Sequence, residues 1–149
     1  RPLSTDLPQS APAVFEWAAK PGWVATSEDV LANIKTNEFC VVDARAPDRF
    51  RGENETLDPV GGHIPGARNR FFKDNLDADG LFRSAAELRR EFLALLAGVP
   101  PEQAIMQCGS GVSACHNLLA MEIAGLHGAR LYAGSWSEWC SDPSRPVAR

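Results

Sequence analysis

The chain has no apolar run approaching the ~18 residues that a bilayer-spanning helix needs, which excludes a helical membrane span. It has no surplus of positive charge either. Fifteen Lys and Arg against nineteen Asp and Glu leave a formal net charge of −4, so the electrostatic footprint of a nucleic-acid binder is missing. Neither a membrane nor a nucleic acid is expected as a partner. Cysteine is sparse: the four, at 40, 108, 115 and 140, form no C-x-x-C pair and are too few for a stapled secreted fold. Residues 1–10 are polar and contain proline, with neither the apolar core nor the cleavage site of a signal peptide. These absences predict a cytoplasmic protein with reduced thiols. The first residue is Arg1 rather than Met, so a piece of a longer protein is expected. Internal repeats and low-complexity segments are absent too. What is present is ordinary for one globular domain: 149 residues, 44% hydrophobic and 23% charged, a length that buries roughly two-thirds of its unfolded surface.

Three segments are expected along the chain. Residues 1–21 hold four of the eleven prolines and read as a linker or arm, with Phe15 and Trp17 apolar enough to dock. Residues 22–141 form the folded domain, and 142–149 a frayed tail. Within the domain, Val24-Ala25 is a short strand candidate. Ser27 is the expected N-cap of a helix over 28–34, with acidic residues where the dipole favours them. Phe39-Cys40-Val41-Val42, ended by Asp43, is a continuous run of β-formers that suits a buried strand. Ala46 to Phe50 suits one helical turn. Ser84 and Glu87 match a capping box ahead of Leu88, Phe92, Leu95 and Leu96, an apolar stripe at helical spacing. Gly98 and Pro100 stop that helix. Ala104 to Gln107 and Ala129 to Tyr132 are further strands, with a helix over 114–124 between them and a short Trp-rich helix after Gly134-Ser135. Alternating strand and helix predicts an α/β fold, a parallel sheet with helices on both faces. Ligands then bind beyond the carboxyl ends of the strands, the edge where Asp43 and Cys108 stand.

The segment Gln107-Cys108-Gly109-Ser110-Gly111-Val112-Ser113-Ala114 carries the most chemistry. A cysteine follows a buried strand, two glycines permit unusual backbone angles, and a helix begins behind them. Strand, loop and helix N-terminus aim several backbone N–H groups into one concave nest. A cysteine there has its thiolate favoured, and the nest would hold a sulfur or an anion attached to it. Two rival chemistries fail on counting. Cysteine-dependent phosphatases use C-x5-R, because an arginine must fork onto the oxyanion; here the sixth residue after Cys108 is Ala114. A zinc site wants ligand pairs at short spacing, which Cys108, Cys115, His116 and Cys140 do not have, so no metal is expected.

The loop from Cys108 to His116 resembles the active-site loop of the rhodanese-family sulfurtransferases. Three more segments are similar to that family in the right order: Val42-Asp43-Ala44-Arg45 with Arg49-Phe50, Gly62-His63-Ile64-Pro65-Gly66-Ala67, and Gly134-Ser135-Trp136-Ser137-Glu138-Trp139. The similarity runs from about Trp23 to Trp139 and is strongest to the C-terminal, catalytic domain of the two-domain enzymes. It implies a rhodanese-like three-layer α/β/α fold with a mostly parallel five-stranded sheet. It also implies a partner, an N-terminal rhodanese domain in the same full-length chain. The implied mechanism is ping-pong covalent catalysis without cofactor. Cys108 takes the sulfane sulfur of a small-molecule donor as a persulfide, which Gly109, Ser110, Gly111, Val112 and Ser113 cradle. A thiol or cyanide acceptor then removes it.

Gly109 and Ser110 stand where thiosulfate-preferring members carry cationic side chains. That resembles the 3-mercaptopyruvate enzymes, in which the serine assists proton transfer to the departing enolate, so Cys108 and Ser110 are the expected catalytic pair. Arg49 matches the family's substrate-binding arginine. Arg45 is expected to face the pocket too or to brace Asp43, and Trp136 to wall the pocket or to pack the final turn. Asp43 and His63 are expected as supports. Cys40 and Cys115 are expected in the core, Cys140 near an exposed tail, His116 without a leading role, and the acidic stretch Glu53 to Asp58 as a solvated loop. That stretch lacks the second carboxylate-binding arginine of the mercaptopyruvate enzymes, and Ala133 stands where Asp usually precedes Gly-Ser-Trp. Thiosulfate:cyanide transfer remains the alternative donor reading, and a non-enzymatic rhodanese interaction module the alternative from another class.

Overall fold

The computed structural model describes Thr5, Leu7, residues 10–18 and residues 22–149. The expected linker over 1–21 lies partly outside the described residues. Residues 10–18 carry neither helix nor strand, and Phe15 and Trp17 are exposed.

The two apolar runs make the centre of the sheet. β1 (Cys40–Asp43) and β3 (Ala104–Gln107) pair in parallel, with Cys40 opposite Ala104 and Asp43 opposite Gln107. All eight residues are buried, as a strand covered on both faces requires. Side chains alternate between the faces. Val42, Ala104 and Met106 join one core; Val41 and Ile105 join the other. β2 (Arg68–Asn69) flanks β1 and β4 (Arg130–Leu131) flanks β3, giving the parallel order β2-β1-β3-β4. The fifth position of the expected sheet is filled by a single parallel bridge from Val24 to Leu131. There the Ala25 N–H donates to the Leu131 carbonyl and the Leu131 N–H to Trp23.

Helices cover both faces. α3 (Ala85–Leu96) and α4 (Val112–Ile123) pack on the first core through Leu88, Phe92, Leu96, Ala114, Ala120 and Met121. Burying a large side chain of this kind contributes roughly 1.5–3 kcal/mol. α1 (Ser27–Thr36) and α5 (Ser135–Ser141) cover the other face, with Val30, Trp136 and Trp139 fully buried. The short α2 (Pro47–Phe50) follows β1. Ser84 and Glu87 form the expected capping box on α3. On α1 the cap is Thr26 rather than Ser27, because Asp29 lies three residues after Thr26 and returns the bond to its N–H. α4 starts two residues earlier than expected, since Gly111 at φ +83° already ends the loop.

Residues 142–149 are not frayed. His63 and Ala148 exchange both backbone hydrogen bonds at 2.9 Å, and the Trp139 indole donates to the Pro146 carbonyl at 2.9 Å. Cys140 is buried in the second core rather than exposed.

From β1 the chain moves outward to β2, then returns across the sheet to β3 on the other side of β1. The adjacent carboxyl ends of β1 and β3 are therefore a topological switch point, the place where open α/β sheets bind ligands. The Ala44 N–H donates to the Gln107 carbonyl at 2.9 Å across that point.

Candidate active site

A cleft of about 340 Å³ opens at the switch point. Cys108, Gly109, Ser110, Val112 and Ser113 of the cysteine loop and the start of α4 line it, together with Arg45, Arg49, Leu57 and Asp58 from the segment after β1 and with Phe71 and Phe72. Cys108 borders this space while only 2% exposed.

The cysteine loop is held from behind by α5. The carbonyls of Cys108 and Gly109 accept from the N–H groups of Trp136 and Ser137 at 3.0 and 2.9 Å. Ser135, fully buried at φ +54°, accepts the Cys108 N–H at 3.1 Å and donates to the Tyr132 carbonyl at 2.9 Å. The loop's carbonyls thus turn toward α5. Among the described residues, no carbonyl accepts from the backbone N–H groups of Gly109 through Ala114. Those at the start of α4 are orphaned as at any helix N-terminus. Together with the helix dipole they make an anion-binding nest beside Cys108. Gly111 is required in that turn: beyond its positive φ, a Cβ there would lie 2.6 Å from the Ala133 carbonyl oxygen.

Arg45 and Arg49 diverge. Arg45 precedes α2 and is buried with Asp43; its guanidinium donates to Asp43 from Nε and Nη2 and to the Gly62 carbonyl at 2.7 Å, above the Trp136 ring. Its donors are engaged, so it braces the end of β1. Arg49, on α2, keeps a side chain 21% exposed. Its Nη2 donates to both oxygens of Glu55 at 2.7 and 2.9 Å and lies 3.4 Å from Asp58. Its Nε is buried without a partner. Nη1 lies on the side of Gly109, where a Cβ would sit 3.7 Å from it.

The acidic stretch is solvated at Glu53, Asn54, Thr56 and Leu57, as expected, but Glu55 and Asp58 turn inward. Gly52 and Gly61 touch backbone to backbone and close residues 52–61 into a compact Ω-like loop. Glu55 points inward from it, its side chain 5% exposed, accepting from Arg49 and from the N–H groups of Leu57 and Asp58. Burial pushes the Glu55 carboxyl up, but the Arg49 hydrogen bond, those two N–H bonds and the Arg49 charge together hold it below its ordinary value. The stretch reads as solvated because its composition is polar. The pinch between Gly52 and Gly61 was the available signal.

Trp136 does not wall the cleft. It is fully buried and donates to the Val60 carbonyl at 2.9 Å, because the α5 turn that presents its N–H to the loop directs its ring inward. His63 stacks on Phe50 at 3.8 Å with Nδ1 2.9 Å from the Phe50 carbonyl oxygen, outside the cleft. Ser110 is exposed on the cleft side. Cys115 is exposed rather than in the core: Ala114, Asn117, Ala120 and Met121 make the buried face of α4, and Cys115 lies one residue off it. His116 sits against the Phe72 and Phe82 rings with Asn75 3.2 Å from its Nδ1, and burial lowers its pKa. Ser135 stands within a motif that sequence reading singles out, yet only the fold assigns it a task.

A family model described as "Rhodanese-like domain" matches residues 26–142. The chain is 57% identical over 137 residues to a probable 3-mercaptopyruvate sulfurtransferase of Pseudomonas aeruginosa, covering 92% of this chain and 48% of the relative. It is 41% identical over 140 residues to the human 3-mercaptopyruvate sulfurtransferase, covering 93% and 47%. The crystal structure of the Tum1 protein from Saccharomyces cerevisiae superposes with a TM-score of 0.72 at 29% identity, covering 86% of this chain and 47% of that one. The chain therefore spans about half the length of the curated relatives it matches. Among the described residues no helix is long and apolar enough to cross a membrane.

Proposed function

This chain belongs to the rhodanese family, and on that premise we propose that it is the catalytic part of a sulfurtransferase that moves sulfur from 3-mercaptopyruvate to a thiol or cyanide. The observation that carries the reading is the run of N–H groups from Gly109 to Ala114, free of carbonyl partners, beside a cysteine that borders the cleft.

The Cys108 thiolate attacks the thiol sulfur of 3-mercaptopyruvate. The carbon–sulfur bond breaks, its electron pair leaves as the enolate of pyruvate, and Cys108 becomes a persulfide. The N–H groups of the loop and of the first turn of α4 stabilise that sulfur, as fixed dipoles stabilise any anion they are aimed at. The enolate takes a proton, for which the Ser110 hydroxyl is placed on the cleft side. Nη1 of Arg49 clamps the donor's carboxylate. An acceptor nucleophile then attacks the outer sulfur of the persulfide and regenerates the thiolate, so both half-reactions balance without an added redox partner.

Asp43 and Arg45 act as positioning residues at the end of β1, and His63 joins the α2 turn to the C-terminal segment. The relatives are about twice as long, which supports an N-terminal rhodanese domain as the intramolecular partner across the open side of the cleft. The four free cysteines support a reducing, cytoplasmic setting.

Intact mass after brief exposure to 3-mercaptopyruvate tests the reading. The expected result is a gain of one sulfur, abolished in Cys108→Ser and retained when Cys40, Cys115 or Cys140 is replaced by serine. A sulfur gain that survives in Cys108→Ser overturns it.

A further inference from the structure

The side of the cleft opposite the cysteine holds more negative charge than a site for anionic donors calls for. Arg45 and Arg49 bring two guanidinium groups. Asp43, Glu55 and Asp58 bring three carboxylates to the same contiguous network, a surplus of one negative charge. The three carboxylate side chains are at most 9% exposed, so solvent screens them weakly. Glu55 lies between the arginines, at 2.7 Å from Arg49 and 3.5 Å from Arg45. Asp58 itself lines the cleft. Nη2 of Arg49 is thereby occupied, its Nε is buried, and Nη1 is the edge beside the cysteine loop.

We propose that Glu55 and Asp58 are specificity-determining residues that set the charge of the donor. They leave Arg49 one edge for a single carboxylate and make the cleft repel a second negative charge. The proposal rests on the sulfurtransferase reading and deepens it. A monoanionic α-keto thiol acid places one charge on Nη1 and keeps its sulfur near the N–H nest. A dianion such as thiosulfate brings an additional charge toward Asp58 with no second cation to receive it. Repulsion between like charges this close, in a cleft where solvent is partly excluded, is enough to decide between donors that share the same chemistry. The loop contributes no counter-charge, since it offers only Gly109 and Ser110 at the rim.

The test compares kcat/KM for 3-mercaptopyruvate and for thiosulfate on the full-length protein, in wild type, Asp58→Asn and Glu55→Gln, with sulfur loading of Cys108 followed by mass. The expected result is that Asp58→Asn raises the thiosulfate-to-mercaptopyruvate ratio about fivefold or more, and Glu55→Gln moves it the same way. A generally weakened fold would depress both donors alike and leave the ratio unmoved. An unmoved or falling ratio in Asp58→Asn overturns the proposal while Cys108 loading still upholds the enzyme reading. A wild type that loads sulfur from neither donor overturns both.

Discussion

On one side of the cleft, residues 108–114 present backbone N–H groups and almost no charge; on the other, Arg49, Glu55 and Asp58 present charged side chains. The first side is fixed by main-chain geometry. Two N–H groups of α5 and one serine hydroxyl hold it, and a glycine permits its turn. The second side is fixed by ion pairs inside a pinched loop. Backbone N–H groups suit any sulfur anion, so the first side is suited to the step common to every donor. Side-chain charge can differ by one substitution, so the second side is where donor choice can be tuned without rebuilding the fold. On the proposed reading, chemistry and selectivity lie on different sides of the cleft.

The sharpest way to break the comparison is at Gly111. Its φ of +83° and the Ala133 carbonyl oxygen 2.6 Å from the site of a Cβ make Gly111→Ala costly twice over. Strain of this kind is worth about 1–3 kcal/mol from the dihedral alone, and relieving the clash moves the N–H nest. Sulfur loading is expected to fall more than about a hundredfold, alike for both donors, with a lowered Tm. Donor-dependent loss would mean that the loop, not the acidic side, selects.

On the proposed reading Arg49 binds the donor and Arg45 supports the end of β1. Removing a charge-assisted contact costs about 1.5–3 kcal/mol. Arg49→Ala is therefore expected to raise KM for 3-mercaptopyruvate roughly ten- to a hundredfold, with a lower Tm as well because the buried Glu55 loses its partner. Arg45→Lys keeps the charge but loses the fork onto Asp43 and the bond to the Gly62 carbonyl, so it is expected to lower Tm and leave KM nearly alone. Equal KM effects in steady-state kinetics would break the division.

Ser135 is the side-chain link in the backbone side. Removing its hydroxyl leaves the buried Cys108 N–H and the Tyr132 carbonyl without that partner, a loss of about 1–3 kcal/mol. Ser135→Gly tests the hydroxyl more cleanly than alanine, since glycine adopts the residue's φ of +54° without strain. The expected outcome is a several-fold lower kcat for sulfur loading with KM nearly unchanged, since the donor's charge still meets Arg49.

The backbone side was legible in the sequence, and of the side-chain side Arg49 and the Arg45–Asp43 brace were legible but Glu55 and Asp58 were not. A cysteine after an apolar strand, two glycines and a helix start carry their geometry locally, so Cys108 and its nest follow from order along the chain. The central strands were legible for the same reason: Cys40–Asp43 and Ala104–Gln107 are apolar because both faces are covered. Glu55 was illegible because its burial depends on Arg49, six residues away, and on the contact of Gly52 with Gly61. Burial of a paired carboxylate is a property of the pair, and composition sees each member alone. Trp136 failed in the opposite direction. A tryptophan beside a site motif suggests a wall, but the turn of α5 directs its ring into the core. The tail misled because Asp142-Pro143 and Pro146 suggest fraying, while its order comes from His63, some eighty residues earlier.

The smallest effect sharpens the comparison by titration. The Glu55 carboxyl is held below its ordinary value by Arg49 and by two backbone N–H groups, against the upward push of burial. A carboxyl whose folded pKa is depressed contributes stability above its unfolded pKa and loses it as the pH falls through the folded value. With an unfolded value near 4.3, the contribution is intact at neutral pH and fades below about 4.3. Glu55→Gln is expected to flatten the acid limb of the stability curve slightly, because a neutral amide has no proton to take up. Chemical denaturation of wild type and variant between pH 3 and 7 measures this. Parallel acid limbs would mean that Glu55 is no better held in the folded protein than in the unfolded chain. The acidic loop would then be a loose cover, and the fixed charge that distinguishes this side of the cleft would have to come from Asp58 alone.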